Sequence, residues 1–394
     1  MHLGQNVGMA DTRPQARDFG GSGPWVGLSD TQRAIVLALL RHGRLSRPEI
    51  MKLVGISPGS ITRLTTPLVD NGILMARTER TACTGRPQSP PGGARRCGEH
   101  HRSEPVGRVP DRRPAPERSA TARRTLPGHA PADVVASLTD AAIELTRSRP
   151  DAPAPSCASV SLGAAATDER TITDAVFLGW HRVPLAELVK TRLRMPTAVG
   201  NDLAAMTLQE AWFGAGREHD RLVLITVGAG IGFGLVVGGE VITTPDAELG
   251  LVGGIPVADD GRPATSLPAM DCLTSPAIER AWSGQGRPPL PAARVVDLAK
   301  RGEAAAVAIC SSYARRVGRL IAMAAAFALP DVVVVAGERA EVAALFEDQV
   351  MVGTASLRRP DAAPIDIVVR EHDRVSWARA AAALALRARA EGRL

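Results

Sequence analysis

Aromatic residues make up only 3% of the 394-residue chain, with a single tyrosine. The five cysteines (Cys83, Cys97, Cys157, Cys272 and Cys310) are odd in number and widely scattered, with no Cys-x-x-Cys pair. Neither a disulfide framework nor a self-evident cysteine zinc cluster is encoded. No window reaches about 18 uninterrupted apolar residues. Residues Met1 to Gly27 are polar and Gly-rich, without an apolar core of signal-peptide length, so the expectation is a cytoplasmic protein with no membrane partner. What remains is 45% hydrophobic and 22% charged, the balance of a soluble globular chain with room for two or three domains. Abundant Ala, Arg, Gly and Pro resembles translation from a GC-rich genome, which weakens raw Arg and Pro counts as evidence.

Charge is unevenly placed. Between Arg77 and Arg124 stand twelve Arg, no Lys and five acidic residues, a local net charge of +7 against +6 for the whole chain. The basic balance is therefore local. Concentrated Arg can neutralise phosphate whether or not it is folded, and its plainer reading is a solvated low-complexity linker.

Leu28 to Met75 reads as three short helices. Ser29-Asp30 caps the first, with Ile35, Val36, Leu39 and Leu40 on one face and His42-Gly43 at its end. The second, Arg47 to Leu53, is capped by Ser46 and buries Ile50, Leu53 and Val54. Gly55-Ile56-Ser57 turns into the third, Pro58 to Asn71, with Ile61, Leu64 and Leu68 inward; Ile73-Leu74-Met75 then starts an extended segment. This is a helix-turn-helix arrangement. Ser57, Ser60, Thr62 and Arg63 fall away from the apolar stripe of the third helix, short donors that let it sit deep in a major groove with Arg for a base edge or phosphate. Three-helix units also serve as packing modules. The extended segment followed by Arg-rich chain favours a winged DNA-binding unit, with Arg77, Arg80 and Arg86 on or after the wing.

Between Arg77 and Thr125 the only large aliphatic residues are Val106 and Val109, too little apolar area to offset chain entropy. From Pro131 the globular pattern returns: a helix capped by Asp133, a strand at 157–162, a helix from Pro184 to Leu193, a strand at 197–199, and a helix opened by Asn201-Asp202. A hairpin follows, Leu222 to Val227 and Leu235 to Val237 around Gly228, Gly230, Gly232 and Gly234. An apolar helix from Ala304 to Leu329 feeds the strand 332–335; a strand 365–369 precedes a C-terminal helix from Trp377. Strands alternating with helices argue for an α/β domain.

The glycines at 228, 230 and 232 permit close backbone approach to a phosphate; equally, they allow a crowded, twisted hairpin. Because they sit between two strands, a Rossmann site is disfavoured. Asn201-Asp202 lies at a strand end before a helix, where α/β folds meet ligands. There Asp can accept a hydroxyl proton while Asn binds a polyol, and there, too, Asn-Asp is a common helix cap.

These residues together resemble the ROK family of bacterial sugar-responsive repressors and sugar kinases. The resemblance rests on the helix-turn-helix, Gly85-Arg86-Pro87, Phe177-Leu178-Gly179-Trp180, Asn201-Asp202, Trp212-Phe213-Gly214-Ala215-Gly216-Arg217, the hairpin, Glu248-Leu249-Gly250, Val332 to Glu338 and Trp377-Ala378-Arg379. It implies an actin-like, hexokinase-like two-lobed α/β domain after an all-α winged helix-turn-helix, with Asn201, Asp202 and Glu248 as sugar contacts. The implied layout is a disordered tail (1–27), the DNA-binding domain (28–76), an Arg/Pro-rich disordered segment (77–130) and the sensor domain (131–394).

Departures from the family bear on function. The family's structural zinc uses a His and a Cys-rich loop; here Gly254 stands where the His is expected and only Cys272 remains, so no metal or other cofactor is expected. Thr274 replaces a sugar-binding Glu, Ala229 a phosphate-contacting Thr, and Gly200 the polar residue that often precedes Asn201. The opening phosphate motif of the first lobe, expected near 90–130, is replaced by the Arg/Pro run, as paired frameshifts would do. The leading expectation is thus a non-enzymatic regulator, a homodimer on double-stranded DNA with a sugar effector, Asp202 being a vestigial base. The alternatives are an ATP-dependent sugar kinase and a non-functional remnant.

Overall fold

The computed structural model describes residues 24–75, 120–152, 154–166, 168–244, 250–257, 266–370, 373 and 375–394. The N-terminal unit is three helices, α1 (Asp30–His42), α2 (Arg47–Val54) and α3 (Pro58–Asp70). Ser29 with Gln32 and Ser46 with Glu49 form reciprocal capping boxes that satisfy the orphan N–H groups at the starts of α1 and α2. Gly55 ends α2 with φ +72°, a left-handed conformation that glycine adopts without steric cost. One expectation is corrected: Leu53 is 50% exposed. Ile50 and Val54, one turn apart, take the inward positions of α2, which turns Leu53 to solvent.

The first lobe contains α4 (Pro131–Ser148), β1 (Ala158–Leu162), β2 (Ile172–Ala175), β3 (Trp180–Val183), α5 (Leu185–Leu193), β4 (Thr197–Asn201) and α6 (Asp202–Phe213). A second correction concerns α4: its cap is Ala130, and Asp133 lies within the first turn. Pro131, with its φ already helical, starts the helix earlier than the Asp signal implies. Strands β1 and β4 pair in parallel from Ala158↔Thr197 to Leu162↔Asn201 as a two-stranded sheet, while β2 and β3 form an antiparallel hairpin. Val134, Val135, Trp180, Leu185, Val189 and Val199 make this lobe's core. Residues 120–130 form no regular element; His129 C=O accepts the Trp180 indole N–H at 2.5 Å.

The second lobe has a five-stranded sheet. Its chain order is β5 (Arg221–Val227), β6 (Ile231–Val237), β7 (Glu240–Val241), the short pair β8 (Pro256–Val257) and β9 (Leu267–Pro268), then α7 (Ala269–Cys272), α8 (Ser275–Ser283), α9 (Ala292–Lys300), α10 (Ala304–Ala328), β10 (Val332–Ala336), α11 (Ala340–Leu345), α12 (Glu347–Ala355), β11 (Asp366–Val369) and α13 (Ser376–Ala390). The spatial order β11-β10-β5-β6-β7 is parallel on the β11 side and antiparallel on the β7 side. Every residue of β10 is buried, as expected of a parallel strand covered on both faces. Helices α10 and α12 cross backbone to backbone: a Cβ at Gly318 would run into Val350 C=O, and one at Gly353 into Arg315 C=O.

The N-terminal unit is not tethered loosely. Its apolar residues Ile35, Leu39, Ile50 and Leu68 belong to one buried cluster with Met206, Trp212, Leu224, Val334 and Leu384 of the α/β domain, and α1 packs on α6 and α13.

Candidate functional site

Burial of Ile61, Thr65 and Leu68 seats α3 on the core and leaves its opposite face to solvent. Ser57, Gly59, Thr62 and Arg63 are exposed on that face and Ser60 is half-buried. The Ser57 hydroxyl makes no helix-cap bond and sits 3.1 Å from the Ser60 hydroxyl, so a short polar surface opens the helix. Pro67 inside α3 has no N–H for the carbonyl one turn earlier. Arg77, Arg80 and Arg86 lie outside the described residues.

The junction behind this face is polar at its rim. Arg33 Nη1 donates to Arg389 C=O at the end of α13 (2.9 Å), and Arg41 pairs with Glu240 of β7 (2.6 Å). A cleft of about 470 Å³ opens beside that pair, bordered by Asn201, Thr243, Glu169 and Arg387. Its charges are largely matched internally: Arg387 meets Glu169 at 2.6 Å, and Arg393 contacts both Glu169 and Glu391. Sequence reasoning did not find this cleft, because its walls come from five separate segments with no shared motif.

Asn201 and Asp202 stand together at the end of β4. Asn201 is buried; its Oδ1 accepts the Ala204 N–H and its Nδ2 donates to Ala164 C=O, both at 3.0 Å. It therefore caps α6 and ties the first lobe's loop to the helix, leaving one N–H and one lone pair for a ligand. Asp202 Oδ1 accepts the Leu203 N–H at 2.8 Å. Burial raises the Asp202 carboxyl above its ordinary value, working against that stabilising bond. Glu248, the third sugar-contact candidate, is outside the described residues.

The glycine hairpin shows two kinds of glycine. At 232, an added Cβ would meet Thr226 Oγ1 at 2.5 Å and Leu203 Cδ1 at 2.9 Å, so this position is set by packing on α6. At 230 there is open space. Gly228 donates its N–H to Gly230 C=O (2.9 Å) and accepts from Ser275 N–H (2.7 Å), which uses one amide of any phosphate cradle. Glu338, just beyond β10, places Oε2 only 2.9 Å from where a Gly228 Cβ would lie. A carboxylate thus stands at the mouth of the hairpin. Its position after a strand and glycine was legible; its aim at a hairpin 110 residues earlier was not.

The family's zinc does not fit the donors present. Cys272 is buried with its Sγ 3.8 Å from Leu267 C=O, Gly254 supplies no side chain, and among the described residues no three His, Cys, Asp or Glu side chains gather. Nor, among those residues, is any helix long and apolar enough to cross a membrane.

Comparison with known proteins fits this geometry. Residues 28–75 match the winged helix-turn-helix DNA-binding family, and residues 118–388 match the ROK family. A glucokinase from Thermotoga maritima is 39% identical over 104 residues, 26% of this chain and 32% of that one. A xylose repressor from Caldicellulosiruptor bescii is 30% identical over 113 residues, 28% of each chain. The chain spans about a third of the length of such curated relatives. Among solved structures, a ROK family transcriptional regulator, a homologue of the Escherichia coli MLC protein, superposes with a TM-score of 0.69 at 18% identity, covering 92% of this chain and 96% of that one. The architecture is a winged helix-turn-helix followed by an actin-like, hexokinase-like α/β domain. Since a single family match takes in more than half of its residues, the chain belongs to the ROK family.

Proposed function

We propose that this protein is a sugar-responsive DNA-binding regulator, most simply a repressor of carbohydrate genes, whose kinase-like domain senses a ligand without phosphorylating it. The carrying observation is the exposed polar face of α3, with Ser57, Ser60, Thr62 and Arg63, on a unit that shares a buried core with the sensor domain. Short donors at the start of a helix suit major-groove readout. One helix makes few base contacts, so two copies on two half-sites are the natural reading unit.

Against catalysis stands Glu338. A bound nucleotide phosphate at the hairpin would face this carboxylate, and two like charges about 4 Å apart cost on the order of a few kcal/mol near a protein surface. Ala229 adds no hydroxyl there, and Thr274 and Gly254 supply no sugar-orienting carboxylate or imidazole. A second reading, sugar kinase, is favoured only by Asp202, whose raised proton affinity suits a general base.

Selection of bound DNA from a random pool at controlled salt tests the first reading. An enriched motif, with base preference relaxed by Arg63→Ala, supports it; uniform weak binding to all sequences refutes it. An ATP-coupled assay over glucose, mannose, N-acetylglucosamine and xylose tests the second: turnover near the roughly 1–100 s⁻¹ of kinases, lost in Asp202→Asn, would make the protein an enzyme.

A further inference from the structure

A second cavity, of about 500 Å³, lies in the second lobe between α8 and α10, with residues of α7 completing its wall. On α10 its lining is one stripe, Ile309, Ser312, Tyr313 and Arg316, spaced three and four residues apart. Ala277, Ile278 and Ala281 of α8 also line it. Alanine at 277, 281 and 308 leaves open the space that larger aliphatic side chains would fill. The cavity shares no lining residue with the cleft beside Arg41 and none with Asp202 or the glycine hairpin.

Its walls combine apolar and cationic chemistry. Cys272, Ile278, Ile309 and Tyr313 are buried apolar lining. Arg316 is half-buried, with its Nε shut off from solvent and without an acceptor, and among the described residues it makes no hydrogen bond or ion pair. Its neighbour Arg315 donates Nε and Nη2 to Gln349 Oε1 at 3.2 and 2.7 Å, so the want of a partner belongs to the residue on the cavity stripe. Arg280 gives Nη2 to Asp271 C=O at 2.9 Å and, among the described residues, pairs with no carboxylate. Among the described lining residues Asp271 is the one acid, and it is exposed. Two guanidinium groups against one carboxylate leave the lining with a single net positive charge.

A cation held in a partly apolar wall without a counter-charge is costly. An anion delivered from solution offsets that cost, and a carboxylate fits the planar guanidinium fork with two parallel hydrogen bonds. One net charge matches a monoanion better than a phosphate ester, and the apolar lining calls for an apolar body behind the charged group. The volume falls within the range of small-molecule sites.

We infer that this cavity binds a small amphipathic monocarboxylate, its carboxylate held by Arg316 and Arg280 and its apolar body lying against Ile278, Ile309 and Tyr313. The site depends neither on DNA binding nor on a sugar at Asp202. The same elements reach the glycine hairpin, since the Tyr313 hydroxyl donates to Leu273 C=O at 3.0 Å and Ser275 N–H donates to Gly228 C=O at 2.7 Å. A ligand wedged between α8 and α10 therefore bears on the segment that holds Gly228.

Calorimetric titration of the full chain at neutral pH tests the site, with 3-phenylpropionate, its uncharged amide, phenyl phosphate and acetate as probes. 3-Phenylpropionate should bind saturably, and at least about tenfold more tightly than the amide, which lacks the charge, and than acetate, which lacks the apolar body. Arg316→Met keeps the stem and removes the charge, while Ala308→Trp, at an exposed lining position, fills the cavity. Each should weaken binding of 3-phenylpropionate at least about tenfold, and Arg315→Met, off the cavity stripe, should leave it unchanged. Circular dichroism shows whether each variant is folded; if Arg316→Met is not, Ala308→Trp and the order of the probes decide. Absence of saturable 3-phenylpropionate binding up to about 10 mM, equal affinity for acid and amide, tighter binding of phenyl phosphate, or an affinity unchanged in folded Arg316→Met or Ala308→Trp would overturn the inference.

Discussion

The five-stranded sheet of the second lobe and the β1–β4 pair of the first are made of similar aliphatic strands and differ in what surrounds them. In the second lobe β10 lies between β11 and β5, and all five of its residues are buried. In the first lobe β1 has one strand neighbour among the described residues, and none of its residues is fully buried. Burial, and with it the apolar contribution to stability, follows everything packed around a strand and not its strand neighbours alone, since β4, paired with β1, is buried at all five residues. The segment that leads into the first lobe, 77–125, carries only Val106 and Val109 as large aliphatics. The first lobe is therefore expected to be the weaker half, opening at lower free energy than the second.

The largest expected effect separates the lobes directly. Leu224→Ala, at a fully buried site of β5, should cost about 2–5 kcal/mol in denaturant unfolding. Val160→Ala, on half-buried β1, should cost under about 1.5 kcal/mol, the low end for removing methyl groups. Equal costs would show that the first lobe is packed as tightly as the second.

Next in size is the helix crossing of the second lobe. Gly318→Ala pushes a methyl group into the Val350 carbonyl, so the two backbones must separate, at about 1–3 kcal/mol of overpacking. A thermal midpoint equal to that of the parent would mean that α10 and α12 slide past each other freely.

A smaller effect has a sign set by pH. The folded protein holds the Asp202 proton more tightly than the unfolded chain does. The ionised carboxylate therefore opposes folding above the ordinary value of 3.8, and this cost vanishes below it, where both states are protonated. Asp202→Asn, which keeps an acceptor for the Leu203 N–H, should raise the thermal midpoint at neutral pH, with the gain fading as pH falls below that value. A gain that persists undiminished in acid would assign the effect to packing.

The smallest effect concerns the join between units. Arg41 and Glu240 are both partly solvated, so Arg41→Ala should cost about 0–1 kcal/mol. A larger loss would mean that the ion pair, and not the shared apolar core, holds the DNA-binding unit.

How much of this was readable follows the range of each signal. In the N-terminal unit helix starts, stops and caps are encoded within four residues, and the elements fell within one residue of expectation. Leu53 was misplaced because a helix of eight residues leaves its register ambiguous from spacing alone. Asp133 misled because an acidic residue in the first turn resembles a cap. Helices α8 and α9 went unread although Pro276 and Pro291 mark their starts and Ile278, Trp282, Val295 and Ala299 their buried faces. At the candidate site, Asn201-Asp202 and the glycine hairpin were legible as local motifs. Glu338 at Gly228 and the Arg41 junction were not, since both depend on strands and helices brought together from more than 100 residues apart.

The core shared by the winged helix-turn-helix unit and the α/β domain has a thermodynamic consequence. Helix α6 begins at Asp202, capped by Asn201, and touches α1 while packing mainly on α13, which α1 also contacts, so α6 and α13 join α1 to the residues at the start of α6. If a ligand at that site changes operator affinity by some factor, DNA must change affinity for that ligand by the same factor, because the two share one coupling free energy. Titrating ligand in the presence and absence of operator would measure the same quantity as titrating operator with and without ligand, and either experiment alone reports how strongly the core links them.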